Sequence, residues 1–458
     1  MTHFMVAAAH KSSGKTTIST GLAAAFRARG LRVQPFKKGP DYIDPMWLTL
    51  ASGQPCYNFD FHTMPASEIR SVFHRRMGEG DIGIIESNKG LFDGLDVDGS
   101  DSNAALAKLL KAPVVLVLDT SGITRGIAPL LYGYERFDPG IEFAGVILNK
   151  VGGPRHEAKL RAAIENYSDL PMIGAVWRDH DLEIGERHLG LTMPMECAGS
   201  ELAVGRMRDA VAGGVDVDRL IRLNTPLSEQ DAPWQGEAET TTGRRVRIGI
   251  AMDAAFRFYY PDDLEAFGAA GADLIAIDTL SDQELPDIDG LFIGGGFPEV
   301  QMRALEANKT LRRSIKTAHE AGMPAYAECG GLAYLSRSLT WGSQSCEMVG
   351  VIPGDTRMHD LPQGRGYVRF KTADNQELAG YEPSVGQTVP AHEFHYSSVE
   401  GLPPDSRFTR IMQRGHGIDG VNDGLVIGNL MAGYCHLRNT SNNPWVRRFV
   451  ERVRRQSN

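Results

Sequence analysis

Residues 9–17 read AHKSSGKTT, and their flanks narrow the fold more than any other stretch of the chain. The apolar run HFMVAAAH precedes them and the helical pattern TTISTGLAAAFRARG follows. A strand, a glycine-bearing loop, Lys-Thr and a helix, in that order, predict a phosphate-binding loop. The helix N-terminus offers unpaired N–H groups and the positive end of a dipole to phosphate. Ser12, Ser13 and Gly14 form the loop, Lys15 reaches toward the β- and γ-phosphates, and Thr16 offers its hydroxyl to Mg²⁺ with Thr17 beside it. The first glycine usual in such loops is replaced by Ala9.

The alternation continues downstream. RVQPF, DIGIIES, APVVLVLDT and FAGVILNKV read as strands, two of them apolar throughout, as strands buried on both faces are. Helical patterns such as SDSNAALAKLLK lie between them, predicting a parallel sheet covered by helices. From residue 224 the texture turns polar and irregular, and α/β alternation restarts at RRVRIGIAMD. The predicted fold is therefore α/β: a P-loop domain over 1–223, a linker over 224–245 and a second α/β domain over 246–458.

Acidic residues belong at the carboxyl ends of the strands beside a phosphate loop, where open α/β sheets bind ligands. Glu86 and Asp93 in IIESNKGLFDG and Asp119 in VLDTSG occupy such places. FKKGPDYIDP, residues 36–45, is the most unusual segment. Gly39-Pro40 breaks the strand, and a rigid turn closed by Pro45 then presents Asp41, Tyr42 and Asp44 next to Lys37 and Lys38. Two carboxylates, a ring and two ammonium groups so close together suit a substrate-contact loop.

Composition excludes several classes. A net charge of −9 argues against a broad nucleic-acid surface. No apolar run reaches membrane-spanning length, and the N-terminus reads as a strand rather than a signal peptide, which points to the cytoplasm. The five cysteines form no CxxC pair, so neither a disulfide framework nor a cysteine zinc site is expected.

One of those cysteines is placed for chemistry. MPAYAECGGLAYL reads as strand, sharp turn and helix, with Cys329 on the turn and Gly330 and Gly331 behind it. Glycines there leave the thiol accessible, and the following helix start favours a thiolate. His392, His395 and His436 are candidate bases for it. GLFIGGGFPE supplies consecutive backbone amides suited to an oxyanion.

The phosphate loop, FKKGPDYIDP, ESNKGLFDG, GGGFPE, AECGGLAYL, HEFHYSS and AGYCHLR follow one another in the order seen in cobyrinic acid a,c-diamide synthases. Over nearly its whole length outside the linker, the chain resembles that family. The resemblance implies a dethiobiotin-synthetase-like ATPase domain followed by a class I glutamine amidotransferase domain. It implies ATP and Mg²⁺ as cofactors, glutamine and a tetrapyrrole polycarboxylate as partners, and a homodimer. Cys329 and His436 become the pair that frees ammonia from glutamine, with Gly295, Gly296 and Gly330 at the oxyanion. Thr16, Glu86 and Asp93 serve Mg²⁺, while Lys38, Asp41, Tyr42, Asp44 and Lys89 face the substrate. ATP phosphorylates a ring acetate, ammonia displaces the phosphate, and two acetates are amidated in turn.

The chain departs from the pattern in two places. Many class I amidotransferases carry Glu two residues after the histidine; Arg438 stands there, implying a Cys–His dyad. The family usually has GVMG where this chain has SNKG, so Lys89 adds a cation near the reaction centre. Cobyrinate is the first choice of substrate, sirohaem the second and nickel-sirohydrochlorin the third. A partitioning-type ATPase switch would lack the cysteine elbow, and GPDYIDP weighs against a cobyric acid synthase. A glutaminase with a silent ATPase is the remaining alternative, raised by Ala9.

Overall fold

The computed structural model describes residues 2–185, 190–197, 199–223, 225, 243–373 and 381–457. The chain divides into two compact units, residues 1–234 and 235–458. In the first, β1 (Thr2–Ala8), β2 (Val33–Lys38), β3 (Tyr57–Phe59), β4 (Ile82–Glu86), β5 (Val114–Asp119), β6 (Phe143–Val151) and β7 (Met172–Trp177) form one sheet. Their order is β3-β2-β4-β1-β5-β6-β7, and every pairing is parallel. All seven residues of β1 are buried, as the centre of a sheet covered on both faces requires. The chain runs from β1 outward to β2 and β3, returns to β4, then crosses β1 to β5. That reversal opens a crevice at the carboxyl ends of β1, β4 and β5.

Two helices frame the crevice, α1 (Lys15–Ala28) and α2 (Ile43–Ser52). α1 lies so close to the helix Ser200–Gly214 that a Cβ on Gly21 would meet the Met207 carbonyl oxygen at 2.6 Å. On one side of the sheet Phe36 stacks on Phe59 at 4.9 Å within a core that includes Met5, Phe73 and Leu106. Leu116, Leu118, Val146 and Leu148 pack under helices Ile127–Phe137 and Pro154–Tyr167.

The second unit holds a nine-stranded sheet. Ala272–Ile277, Val246–Ala251, Gly290–Ile293, Ala325–Glu328 and Leu430–Gly433 are neighbours in that order, all parallel. Asn422–Ile427, Arg407–Arg414, Gly364–Thr372 and Thr388–His395 extend it antiparallel. The helix Trp445–Gln456 buries Trp445, Val446, Phe449, Val450 and Val453 at helical spacing, and Trp445 packs on Phe292 and Tyr326.

The polar stretch expected as a linker is partly spoken for. Thr225 Oγ1 accepts the His3 N–H at 2.7 Å and donates to the His3 carbonyl at 3.1 Å, tying it to β1. Arg244 and Arg245 pair with Asp289 and Asp273 of the second unit. Residues 224 and 226–242 of that expected linker lie outside the described residues.

Candidate active sites

The loop between β1 and α1 depends on left-handed backbone. Ser12 has φ 61° and Gly14 has φ 84°. A Cβ on Gly14 would lie 2.1 Å from Asn149 Nδ2, which itself donates to the Ser13 carbonyl at 2.9 Å. Lys150 braces the same loop, donating to the Ser12 carbonyl at 3.0 Å and to Asp119 at 2.8 Å. Asp119 is thereby engaged on the β6 side of the loop, while Glu86 sits at the end of β4.

Lys15 is buried, and its Nζ donates to the Lys89 carbonyl at 2.8 Å and to the His10 carbonyl at 3.4 Å. Burial, with the charge of Lys37 pushing the same way, brings its pKa down to about 8. Thr16 Oγ1 donates to Glu86 Oε1 at 3.0 Å. Thr17 turns elsewhere, toward the Leu182 carbonyl at 3.5 Å.

Glu86 is wholly buried, and its main partner is Lys37, which the sequence placed with Lys38 in a substrate-contact loop and the structure instead buries. Lys37 Nζ lies 2.6 Å from Glu86 Oε1, 2.5 Å from Asp44 Oδ2 and 3.6 Å from Asp41 Oδ2. Burial opposes the charge on Lys37, but Asp44, Glu86 and Asp41 outweigh it and hold the ammonium well above its ordinary pKa. Burial pushes Glu86 up. Burial would push Asp44 up as well, but Lys37 holds it down. Burial and the Asp44 charge raise Asp41. β2 pairs with β4 so that Lys37 faces Glu86 across the ladder, which turns it away from the expected substrate-contact role.

The segment GPDYIDP differs from its expected form. Helix begins at Ile43, so Asp44 and Pro45 lie in the first turn of α2, where a proline costs no helical hydrogen bond. Asp41 Oδ1 accepts the N–H groups of Ile43 at 3.0 Å and Asp44 at 3.1 Å, and Tyr42 is buried. Lys38, buried at the end of β2, has its pKa lowered chiefly by burial. Lys89 is exposed on a strained turn, φ 36°, that Asn103 clamps by donating to the carbonyls of Asn88 at 2.8 Å and Gly90 at 2.7 Å. Asp93 closes the same turn by accepting the Gly90 N–H at 2.9 Å.

In the second unit, strand Ala325–Glu328 ends at Cys329, whose φ of 48° and ψ of −100° are strained for any side chain. The helix Gly330–Leu335 starts at once, and Gly331 is a steric necessity while Gly330 sits in a tight contact. A Cβ on Gly331 would sit 2.2 Å from the Ile293 carbonyl oxygen; one on Gly330 would sit 3.0 Å from the Gly296 nitrogen. Gly296 and Gly330 therefore bring their backbones together beside the thiol. Cys329 N–H donates to the Gly433 carbonyl at 2.8 Å, which fixes the turn to the strand leading to His436.

His436 is buried, and a Cβ on Gly295 would come within 2.6 Å of its Cε1. Burial disfavours its positive charge, yet the Cys329 thiol and the Glu328 carboxylate beside it outweigh this and push its pKa up to about 10. His436 Nδ1 stands 3.4 Å from Glu328 Oε2. His392 stacks on the His436 ring at 4.9 Å and exchanges backbone hydrogen bonds with it. His395 has a different place: it stacks on Tyr434 at 3.7 Å and bonds the Ser397 carbonyl at 2.8 Å. Arg438 pairs with Asp262 at 2.6 Å and lies over the Tyr260 ring.

Residues 4–191 match the CobQ/CobB/MinD/ParA nucleotide binding domain, and residues 247–444 match the CobB/CobQ-like glutamine amidotransferase domain. The cobyrinate a,c-diamide synthase of Magnetococcus marinus is 45% identical over 437 residues, covering 94% of this chain and 93% of that protein. The protein of the same name from Methanosarcina acetivorans is 41% identical over 463 residues, covering 94% and 91%. A solved structure, PurLQS from Thermotoga maritima, covers 46% of this chain and 99% of its own at TM-score 0.37 and 14% identity, a likeness too slight to argue from.

Proposed function

This chain belongs to the cobyrinate a,c-diamide synthase family, and on that premise we propose that it uses ATP and glutamine to convert the a and c acetates of cobyrinate to amides. The observation that carries the reading is Cys329, held in a strained turn against His436, in a chain whose other unit bears a phosphate loop.

A carboxylate is a poor acyl donor because oxide would have to leave. Transfer of the γ-phosphoryl of ATP to it creates a leaving group, and such transfer needs mainly positioning and charge neutralisation. Lys15 and the amides at the start of α1 would cradle the phosphates. Lys38 and Lys89 would receive substrate carboxylates, with Asp41, Tyr42 and Asp44 along the same edge. Mg²⁺ suits this place: Glu86 Oε2 is buried without a hydrogen-bond partner, and Thr16 bonds the other oxygen of that carboxylate. Thr16 and Glu86, with Asp93, would hold the ion, which would neutralise phosphate charge.

In the second unit Cys329 Sγ would attack the side-chain amide of glutamine. Amides around Gly295, Gly296 and Gly330 would take the developing oxyanion, and His436 would protonate the departing ammonia. Water then releases glutamate from the thioester, and ammonia displaces phosphate from the acyl phosphate. The proposal extends to a homodimer in the cytoplasm, in keeping with five unpaired cysteines. Among the described residues no helix is long and apolar enough to cross a membrane.

The test is a mass measurement on cobyrinate, with sirohaem as the competing substrate, using the parent protein, Cys329→Ala and Lys15→Ala. Each conversion of carboxylate to amide shifts the mass by about 1 Da. Cys329→Ala should lose product with glutamine and keep it with ammonium salts, whereas Lys15→Ala should lose it with both while still hydrolysing glutamine. Product from Lys15→Ala, or amidation of sirohaem in place of cobyrinate, would overturn the assignment.

A further inference from the structure

We propose that Glu328 orients His436 and steadies its imidazolium, so that the nucleophile and the orienting carboxylate are consecutive residues at one strand end. The inference rests on the thiol chemistry proposed above. His436 Nδ1 and Glu328 Oε2 are 3.4 Å apart, and their side chains are 3% and 4% exposed. That spacing exceeds a tight hydrogen bond, as catalytic contacts often do before substrate arrives. Glu328 Oε1 accepts the Tyr326 hydroxyl at 2.8 Å and the Leu437 N–H at 2.9 Å. Leu437 follows His436, so one carboxylate holds both the ring and the backbone that carries it. Two residues beyond the histidine, Arg438 is spent on Asp262, and no carboxylate reaches the ring from there.

A second layer supports the pair. Arg410, wholly buried, donates to the Tyr326 hydroxyl at 3.3 Å, to Glu382 at 2.6 Å and to Asp423 at 3.2 Å. Asp423 in turn accepts the N–H groups of Tyr434 at 2.8 Å and Cys435 at 3.3 Å. One arm from Arg410 thus leads to the carboxylate and the other to the segment carrying the histidine. A buried carboxylate is retained at such cost only when paired and hydrogen-bonded. The groups facing His436 are Cys329, Glu328 and the stacked His392; Tyr259 and Tyr326 lie about Glu328, with Arg410 behind Tyr326. Cys329 leaves the strand in its strained turn, which lets its sulfur and the Glu328 carboxylate approach one ring.

The experiment compares parent, Glu328→Gln, Glu328→Asp and Tyr326→Phe in the full chain. It follows glutamine hydrolysis, the ratio of glutamine- to ammonium-supported amidation, and the pH dependence of Cys329 alkylation by iodoacetamide. Glu328→Gln should lower kcat for glutamine about 10²- to 10⁴-fold with KM within about threefold, and the ratio should fall in step. Its alkylation profile should move to higher pH, because an imidazolium without its carboxylate holds the thiolate less well, and Glu328→Asp should restore part of both. Parent-like kcat together with an unmoved profile in Glu328→Gln overturns the proposal. Should that variant fail to fold, Tyr326→Phe decides, since it keeps the carboxylate and removes one of its donors: a shifted profile supports the role and an unshifted one overturns it. Glutamine hydrolysis surviving in Cys329→Ala would overturn the thiol reading itself, a result distinct from any effect at Glu328.

Discussion

Lys15 stands in the free protein against two carbonyl oxygens rather than a carboxylate, and burial draws its pKa down to about 8. Phosphate would restore the charge. The free protein therefore binds fewer protons than the nucleotide complex once the pH exceeds that value. Nucleotide affinity should be flat through neutrality and then weaken by up to roughly tenfold per pH unit. Calorimetric titration with ATP across that range checks it, and an affinity unchanged into strongly alkaline solution would remove Lys15 from the phosphate site. Lys15, Thr16 and Cys329 were legible as individual residues because each sits in a local motif whose chemistry follows from its neighbours in the chain. Lys37 and Glu328 were not, because their meaning lies across the sheet. Adjacent lysines at 37 and 38 look alike in sequence, and only the register of β2 on β4 gives the first to Glu86. Glu328 reads as a flanking acid until His436, 108 positions later, is folded against it.

At the scale of elements, the helix Gly330–Leu335 shows how packing demands particular residues. Its second glycine lies against the carbonyl of Ile293, a backbone atom that has nowhere to yield. Gly331→Ala should therefore destabilise the second unit by about 1–3 kcal/mol. It should also displace Cys329 enough to depress glutamine hydrolysis; urea unfolding and a glutaminase assay read both effects. Parent-like values in each would mean that the helix shifts freely on the sheet. The parallel strands were readable because β1 carries the apolar run Phe4–Ala8 and β5 the run Val114–Leu118. The antiparallel extension was not, since RFTRIMQR and GRGYVRFKT, the strands Arg407–Arg414 and Gly364–Thr372, mix arginines with apolar residues without a regular period. Such segments show half of their length to water and resemble loops until their partners are known. The three-residue strand Tyr57–Phe59 is too short to announce itself.

Taken as a whole, the molecule keeps each chemistry on its own sheet with its own core. The nitrogen-releasing half is assembled from three neighbouring strands: Gly290–Ile293 leads to Gly295 and Gly296, Ala325–Glu328 to Cys329, and Leu430–Gly433 to His436. Interstrand spacing of about 4.8 Å, repeated identically along a ladder, then acts as the ruler for the distance from sulfur to imidazole. Warming that only shakes surface loops leaves such a ruler intact. Catalytic competence and the tertiary signal of this half should accordingly vanish at one temperature, with no dead yet folded species between them, in paired calorimetric and rate scans. The sheet is at once scaffold and gauge, and nothing short of its collapse recalibrates it.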